Sequence, residues 1–206
     1  MKCQREDETM RTGYRRCPAI RRSIRIGALA LMALSVGFAL TGPSPVSGQE
    51  GPQVKLSDDI KATLKALPLI QGAQIDDRTF DQKVVVVTFF ASWCAPCREE
   101  FKHLAKLHAA YHDLGVEIIA VNYFEDFDNL SNTAQLKRYL EVTAPPFTVV
   151  KGSDELSRQF GEITRIPTLF VFDKQGQRAL YFFNRPDGSQ PSIDLATLRQ
   201  VIMTLI

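Results

Sequence analysis

Two cysteines separated by two residues lie between a predicted buried strand and the start of a predicted helix, and this arrangement restricts the possible folds more than any other feature of the sequence. Residues 83–90 form a short apolar run, rich in β-branched and aromatic side chains, that predicts a central strand buried on both faces. The segment from Trp93 to Cys97 follows, and apolar residues at helical spacing continue up to Gly115, the predicted C-cap. A second strand is predicted at residues 116–123. Such a strand–helix–strand unit implies parallel pairing and an α/β fold.

The rest of the chain predicts further helices and strands around this unit. Helices are predicted at residues 58–67 with Ser57 as N-cap, at 133–141, at 153–161, and at the carboxyl end with Ser192 as N-cap. Strands are predicted at 147–150, 168–172 and 178–183, of which the last two form a hairpin through residues 173–176. We therefore expect a central β-sheet flanked by helices.

The amino-terminal segment has the pattern of a targeting leader. Residues 1–25 carry eight Lys or Arg against three acidic residues, and residues 26–40 carry no charge. Small residues follow near position 48, which is typical of a secretory signal peptide. Fifteen apolar residues make about 22 Å of helix, short of the ~30 Å hydrocarbon core. An uncleaved membrane anchor through residues 26–40 stays open as the alternative, because the next charge is at Glu50.

The charge distribution also predicts a compartment and excludes one class of partner. The basic flank should keep residues 1–25 in the cytoplasm and place the rest in the periplasm, or on the extracytoplasmic face of the inner membrane. The chain beyond residue 25 has a net charge of −3. Nucleic-acid binding needs a clustered basic surface, so we expect no nucleic-acid partner. We expect a leader and signal peptide or anchor at 1–48, a linker and amino-terminal helix at 49–74, and a folded domain at 75–206.

The position of the two cysteines predicts redox chemistry. Cys3 and Cys17 lie in the leader, so Cys94 and Cys97 are the two that remain in the exported part. Unpaired N–H groups at a helix amino terminus stabilise a thiolate and lower its pKa, and we expect Cys94 to be partly exposed there. Cys97 lies one turn further on the same face, where it can resolve a mixed disulfide. Pro96 suits the first helical turn.

Other uses of the two cysteines are less consistent with the sequence. A structural disulfide that closes so small a loop gains little stability. A zinc site needs two further ligands, and His103, His108 and His112 all fall later on the helix that follows. We interpret these histidines as ordinary surface or half-buried residues, and we expect no metal and no cofactor.

Two segments resemble a known family. Residues 88–97 are similar to the active-site segment of thioredoxin-fold proteins, especially exported thiol–disulfide oxidoreductases of the TlpA/ResA/DsbE type, and residues 165–173 match a second segment. The resemblance covers roughly residues 75–206. It implies a thioredoxin fold with a central mixed β-sheet and a TlpA/ResA-type strand–helix insertion at residues 129–161. It also implies a cis proline that faces the dithiol, and a substrate groove formed by Trp93, Ala95, Pro96, Ile166 and Pro167.

The sequence departs from the family pattern at two places. Cytoplasmic thioredoxins have a buried Asp six residues before the first cysteine, where this chain has Thr88, which cannot act as a base near neutral pH. ResA-like members have a Glu three residues after the second cysteine, and Glu100 matches it. We expect Glu100 to be the acid/base for Cys97, with a pKa raised by burial; the alternative is a solvated first-turn Glu, a description that fits Glu99 better. The shortened segment before Lys83 leaves the amino-terminal edge of the sheet open.

The resemblance implies a protein-disulfide reductase. It would take electrons from a membrane dithiol donor and reduce exported proteins, such as apocytochrome c, and we expect a monomer. Because no cation lies between the cysteines, a potential nearer about −270 mV than about −120 mV is expected. Three alternatives stay open: an oxidising or isomerising folding catalyst, a thiol peroxidase, although the Thr-x-x-Cys usual in peroxiredoxins is absent, and a non-catalytic binding module.

Overall fold

The computed structural model describes residues 51–126 and 133–206, which form one mixed sheet with helices packed against it. The strands lie in the order β1-β4-β3-β2-β5-β6. They are β1 (Leu69–Gln71), β2 (Val84–Phe90), β3 (Val116–Asn122), β4 (Thr148–Lys151), β5 (Thr168–Phe172) and β6 (Arg178–Phe183). The helices are α1 (Asp58–Ala66), α2 (Ala95–Tyr111), α3 (Thr133–Thr143), α4 (Asp154–Gln159) and α5 (Leu195–Met203). The predicted α/β class with a mixed sheet is confirmed.

Strand β2 is the centre of the sheet, as its apolar sequence predicts. All seven of its residues are buried. It pairs in parallel with β3 and antiparallel with β5, so both of its backbone edges are hydrogen-bonded. Residues buried on both faces of a sheet form near-continuous apolar runs, and the sequence of β2 is such a run. The loop that follows β2 therefore begins in the middle of one edge of the sheet.

Helix α2 packs one face onto this sheet and ends earlier than its apolar pattern suggests. Its buried residues are Cys97, Glu100, Phe101, Leu104 and Leu107. The turn at His112–Leu114, predicted as part of the helix, is a separate 3₁₀ turn. Gly115 then ends it with a φ of 93°, a left-handed conformation that glycine adopts without steric cost.

The predicted start of the last helix is wrong by two residues. Asp194, and not Ser192, is the N-cap of α5, and its side chain accepts a hydrogen bond from Thr197 N at 2.8 Å. Ile193 is buried, and its carbonyl oxygen accepts a hydrogen bond from Nδ1 of His103 at 2.8 Å. Because Ile193 is fixed to the core in this way, the helix begins only after it.

The amino-terminal part of the described chain contributes a strand that the sequence did not predict. Strand β1 lies within residues 49–74 and pairs antiparallel with β4, with Leu69 opposite Val150. Its first residue is exposed and the other two are half-buried, so its sequence shows no alternation of apolar and polar residues. Strand β4 and helix α3 lie at the place predicted for the strand–helix insertion, of which residues 129–132 fall outside the described residues.

Residues 51–56, part of which was predicted as a linker, lie against the turn between β5 and β6. Arg178 donates a hydrogen bond to Pro52 O at 2.6 Å, and Leu56 N donates to Gly176 O at 2.8 Å. Val54 and Leu56 are buried. The leader and the apolar stretch at 26–40 lie outside the described residues. Of the helices in the described ranges, none is both long and apolar enough to cross a membrane.

Candidate active site

Cys94 and Cys97 form a disulfide at the amino terminus of α2. Their Cα atoms are 5.3 Å apart. Cys94 is the N-cap of the helix, and its sulfur accepts a hydrogen bond from Cys97 N at 3.2 Å. Cys97 is fully buried, and Cys94 is only 5% exposed, less than the partial exposure that the sequence suggested, although it is the more accessible of the two. An N–H group directed at the Cys94 sulfur stabilises a thiolate there once the disulfide is reduced.

Glu100 lies in the interior, one helical turn after Cys97 on the same face of α2. Its side chain is fully buried, and Thr88 Oγ1 donates a hydrogen bond to its Oε1 at 2.5 Å. Burial raises the pKa of Glu100 to about 7, although the Thr88 hydrogen bond works in the opposite direction. Glu99, by contrast, is exposed and pairs with Lys102 at 2.7 Å. Of the two carboxyls weighed from the sequence, Glu100 is therefore the one beside the dithiol with a pKa suited to proton transfer near neutral pH.

Trp93, the residue before Cys94, lines a groove of about 360 Å³. The described residues that line it are Trp93, Phe124, Thr164, Arg165, Ile166 and Asn184. Trp93 is 44% exposed, and its indole N–H donates a hydrogen bond to Phe124 O at 2.8 Å. Ala95 is exposed and Pro96 half-buried, and within the described part of the chain neither they nor Pro167 belong to the lining.

The loop before β5 carries the cis proline that the family resemblance implies. The peptide bond between Ile166 and Pro167 is cis. Asn184 N donates a hydrogen bond to Pro167 O at 2.9 Å, and its side-chain amide donates to Ile166 O at 3.2 Å. Because Thr168 pairs with Phe183, Asn184 stands directly beside this loop. Asn184 was not predicted as a site residue from the sequence. The signal that could have identified it is a polar residue directly after the second strand of the predicted hairpin.

A second network, also missed in the sequence, holds the segment before Cys94. Glu125 lies just beyond β3, and one of its carboxylate oxygens accepts hydrogen bonds from Ser92 N at 2.9 Å and from Asn122 at 2.7 Å. The other oxygen accepts a hydrogen bond from the Ser92 hydroxyl. All three residues are buried. The carboxylate therefore ties the loop that carries Trp93 and Cys94 to the end of the neighbouring strand.

The histidines take no part in this arrangement. His108 and His112 stack on each other with ring centroids 4.4 Å apart on the far part of α2, while His103 contacts Ile193. Across residues 51–126 and 133–206, no three His, Cys, Asp or Glu side chains come together in a group that could hold a metal ion.

This combination of a dithiol at a helix amino terminus, a buried carboxyl and a cis-proline loop defines a thioredoxin-like redox site. The profile of the Redoxin family matches residues 47–202, and the chain belongs to that family. The match covers the sheet, its helices up to residue 202 of α5, and every candidate site residue named above.

Several similar proteins are named as thiol–disulfide oxidoreductases. The thiol–disulfide oxidoreductase ResA of Bacillus cereus is 29% identical over 154 residues, which cover 74% of this chain and 82% of that protein. ResA of Bacillus subtilis is 25% identical over 160 residues, which cover 75% of this chain and 80% of that protein. These relatives confirm the resemblance seen in the sequence and the prediction that the chain is a thiol–disulfide oxidoreductase.

Solved structures agree with the predicted fold. A Chlorobium tepidum protein described as a thiol:disulfide interchange protein DsbE has a TM-score of 0.51 at 27% identity, covering 79% of this chain and 99% of that one. A secreted disulfide oxidoreductase of Mycobacterium tuberculosis has a TM-score of 0.57 at 16% identity, covering 72% of this chain and 100% of that one. The second likeness concerns the fold alone.

Proposed function

We propose that this protein reduces disulfides of exported proteins through the Cys94–Cys97 dithiol. The observation that carries the proposal is the placement of this pair. Cys94 caps α2 directly after Trp93, which lines a groove, whereas Cys97 is buried one turn from a buried carboxyl. An outer nucleophile and an inner resolving thiol with its own base are what two-step thiol–disulfide exchange requires.

In the first step, the Cys94 thiolate attacks one sulfur of a substrate disulfide. The substrate S–S bond breaks, a Cys94–substrate bond forms, and the other substrate sulfur leaves as a thiolate that takes a proton from solvent. The helix amino terminus and the Cys97 N–H favour the attacking anion. The groove lined by Trp93 and Ile166 is proposed to hold the substrate chain. Ala95, Pro96 and Pro167, implied as substrate-binding residues by the family resemblance, are proposed to contact the substrate next to it.

In the second step, Glu100 removes the proton from the Cys97 thiol. The Cys97 thiolate then attacks the Cys94 sulfur, the mixed disulfide breaks, and the second substrate sulfur leaves as a thiolate that takes a proton from solvent. The substrate has gained two electrons and two protons, and the enzyme is left with the disulfide observed here. A carboxyl with a pKa of about 7 can both accept this proton and release it near neutral pH.

The location and the direction of the reaction rest on the sequence. The basic and apolar leader supports export to the periplasm or to the extracytoplasmic face of the inner membrane, with residues 26–40 as a signal peptide or an anchor. A reductase in an oxidising compartment needs an electron source, and the family resemblance points to a membrane dithiol donor. Apocytochrome c and other exported proteins with disulfides are the proposed substrates.

Trapping experiments with two matched variants test this function. Cys97→Ser should stop after the first step and accumulate a covalent complex with a disulfide-containing protein, which mass spectrometry detects. Cys94→Ser should form no such complex and should lose turnover with dithiothreitol as electron source. Equal turnover by wild type and Cys94→Ser, or trapping through Cys97 instead, would refute the assigned roles.

A further inference from the structure

The environment of Glu100 contains a second buried polar atom that the mechanism above does not use. Tyr139, on α3, is 4% exposed. Among the described residues, neither its hydroxyl nor Oε2 of Glu100 has a hydrogen-bond partner, and both atoms are buried. Buried polar atoms in folded proteins are almost always paired, often through an ordered water. Each of these two atoms therefore lacks the hydrogen-bond partner that a buried polar atom ordinarily has.

The ring of Tyr139 lies between the strand and the helix that form the dithiol site. It stacks on Phe90, the last residue of β2, with ring centroids 5.6 Å apart. It meets Phe101 edge-on at 5.3 Å. Because Phe101 is the residue after Glu100, these contacts place the tyrosine on the flank of the catalytic turn of α2. The guanidinium of Arg98 lies 5.9 Å from the same ring.

The electrostatic surroundings keep this hydroxyl protonated. Burial is the main cause that raises the pKa of Tyr139, and the carboxylates of Glu100 and Glu125 raise it further, whereas Arg98 lowers it. The contact of the Tyr139 ring with Phe101, the residue after Glu100, places the tyrosine next to this part of α2. From the other side, Thr88 on β2 occupies Oε1 of Glu100 and leaves Oε2 for another donor. A neutral tyrosine hydroxyl is such a donor.

Tyr139 also connects the interior to a polar pocket of about 440 Å³. The described residues that line this pocket are Ser92, Arg98, Gln135, Arg138, Tyr139 and Val142. Glu100 is fully buried and is not among them. A carboxyl that takes up a proton in every turnover must also release it, and release from a fully buried site needs a polar route to solvent.

We propose that the Tyr139 hydroxyl donates a hydrogen bond to a water bound at Oε2 of Glu100, and that this water carries the carboxyl proton out to the Arg98–Arg138 pocket after each turnover. Tyr139 is a positioning residue that acts through Glu100, so the inference rests on the proposed function. The proton passes from Oε2 to the water and then to solvent, and the tyrosine is neutral before and after. By this proposal, helix α3, which carries Tyr139, contributes to proton release from the active site.

Tyr139→Phe is the direct test, because it removes only the hydroxyl and keeps the ring against Phe90 and Phe101. The carboxyl of Glu100 is titrated by ¹³C NMR in the oxidised protein, with Glu100→Gln to assign its signal. Loss of the donor should raise the pKa of Glu100 by about one unit, because the ionised form loses a hydrogen bond. In single-turnover reduction, the rising limb of the pH–rate profile should shift equally, a fall of about tenfold in rate at a pH below the limb.

Tyr181→Phe is the matched control, because it removes the hydroxyl of a half-buried tyrosine on β6 and should leave the titration unchanged. An unchanged or lowered pKa of Glu100 in Tyr139→Phe would overturn the proposal, since a purely structural tyrosine would not move it upward. If the proposed function of Glu100 failed, Glu100→Gln would keep the wild-type turnover and pH profile. That result distinguishes a failure of the proposed function from a failure of the Tyr139 proposal.

Discussion

At the scale of single residues, burial raises the pKa of Glu100, which suits this carboxyl to proton transfer near neutral pH but lowers the stability of the folded protein as the pH rises. Its pKa rises from 4.5 to about 7 because the charged form is desolvated. Below about pH 4.5 the carboxyl is protonated in the folded and unfolded states alike, so the protein has its full stability. As the pH rises towards 7, the unfolded chain releases the proton first, and stability is lost. Above the folded pKa the loss is complete.

Glu100→Gln should therefore remove most of this pH dependence. The shift from 4.5 to about 7 corresponds to about 3 kcal/mol, because one pKa unit is worth about 1.4 kcal/mol. Urea unfolding of the oxidised protein should show wild type losing about that much stability relative to Glu100→Gln between pH 4 and pH 8. The exposed Glu99→Gln variant should keep the wild-type curve. Parallel curves for wild type and Glu100→Gln would contradict the buried, shifted carboxyl.

Thr88 should tune the same carboxyl from the strand side. Its hydroxyl donates to Oε1 of Glu100, and this bond lowers the pKa of Glu100. Thr88→Val keeps the shape and removes the donor, so the pKa of Glu100 should rise by about one unit. The pH dependence of mixed-disulfide resolution should move upward with it.

Thr88→Ser, which retains the hydroxyl, should stay close to wild type in that measurement. Identical profiles for the Val and Ser variants would mean that the hydrogen bond does not act on Glu100.

The sequence predicted the residues of this site that are close together along the chain. Cys94, Cys97 and Glu100 follow one another at three-residue steps, about one helical turn each, so spacing alone places them on one face. Tyr139 and Glu125 come from elements far along the chain, and no local pattern connects them to the cysteines. Their role depends on sheet order and helix packing, which become visible only in three dimensions.

At the scale of elements, the loop before α2 depends on the segment after β3. Glu125 accepts three hydrogen bonds from Ser92 and Asn122, all within the protein interior. Trp93 reaches the same segment through Phe124 O. The cysteine loop is thus held by a neighbouring loop and not by its own turn alone.

Glu125→Gln should weaken this attachment. An amide offers one acceptor oxygen in place of two, so a buried donor is left unpaired at a cost of about 1–3 kcal/mol. Chemical unfolding should show that loss, and reductase turnover should fall because the Trp93–Cys94 segment is less well held. Asp126→Asn, an exposed neighbour, is the control and should change neither quantity. Wild-type stability in Glu125→Gln would refute the network.

The strands with apolar runs were predictable, and the short, exposed edge strand β1 was not. Strands β2, β3, β5 and β6 follow from their apolar and β-branched runs. Strand β1 has three residues, and Leu69 is 40% exposed, so its sequence carries no burial signal. The cap of α5 was misplaced because Ser192 and Asp194 are both good caps, and only the packing of Ile193 decides between them.

At the scale of the whole molecule, the sheet order brings the site together. The ends of β2 and β3 lie at one edge of the sheet because the two strands are parallel. Strand β5 runs antiparallel to β2, so its start, with Pro167 before it, reaches the same edge. Strand β6 is antiparallel to β5, so Asn184, the residue after the end of β6, lies at the same edge of the sheet. Three segments distant in sequence thus reach the edge of the sheet at which the Cys94–Cys97 loop begins.

The central claim, that this dithiol works as a reductant, is tested most directly by the reduction potential of the Cys94–Cys97 pair. The purified protein is equilibrated with thiol–disulfide buffers of defined potential, and the reduced fraction is measured by alkylation, with Cys94→Ser as the background. We predict a value of about −230 mV or below, in the range of glutaredoxins and thioredoxin. A value near about −120 mV would contradict the account, because it would make the protein a disulfide-forming oxidant.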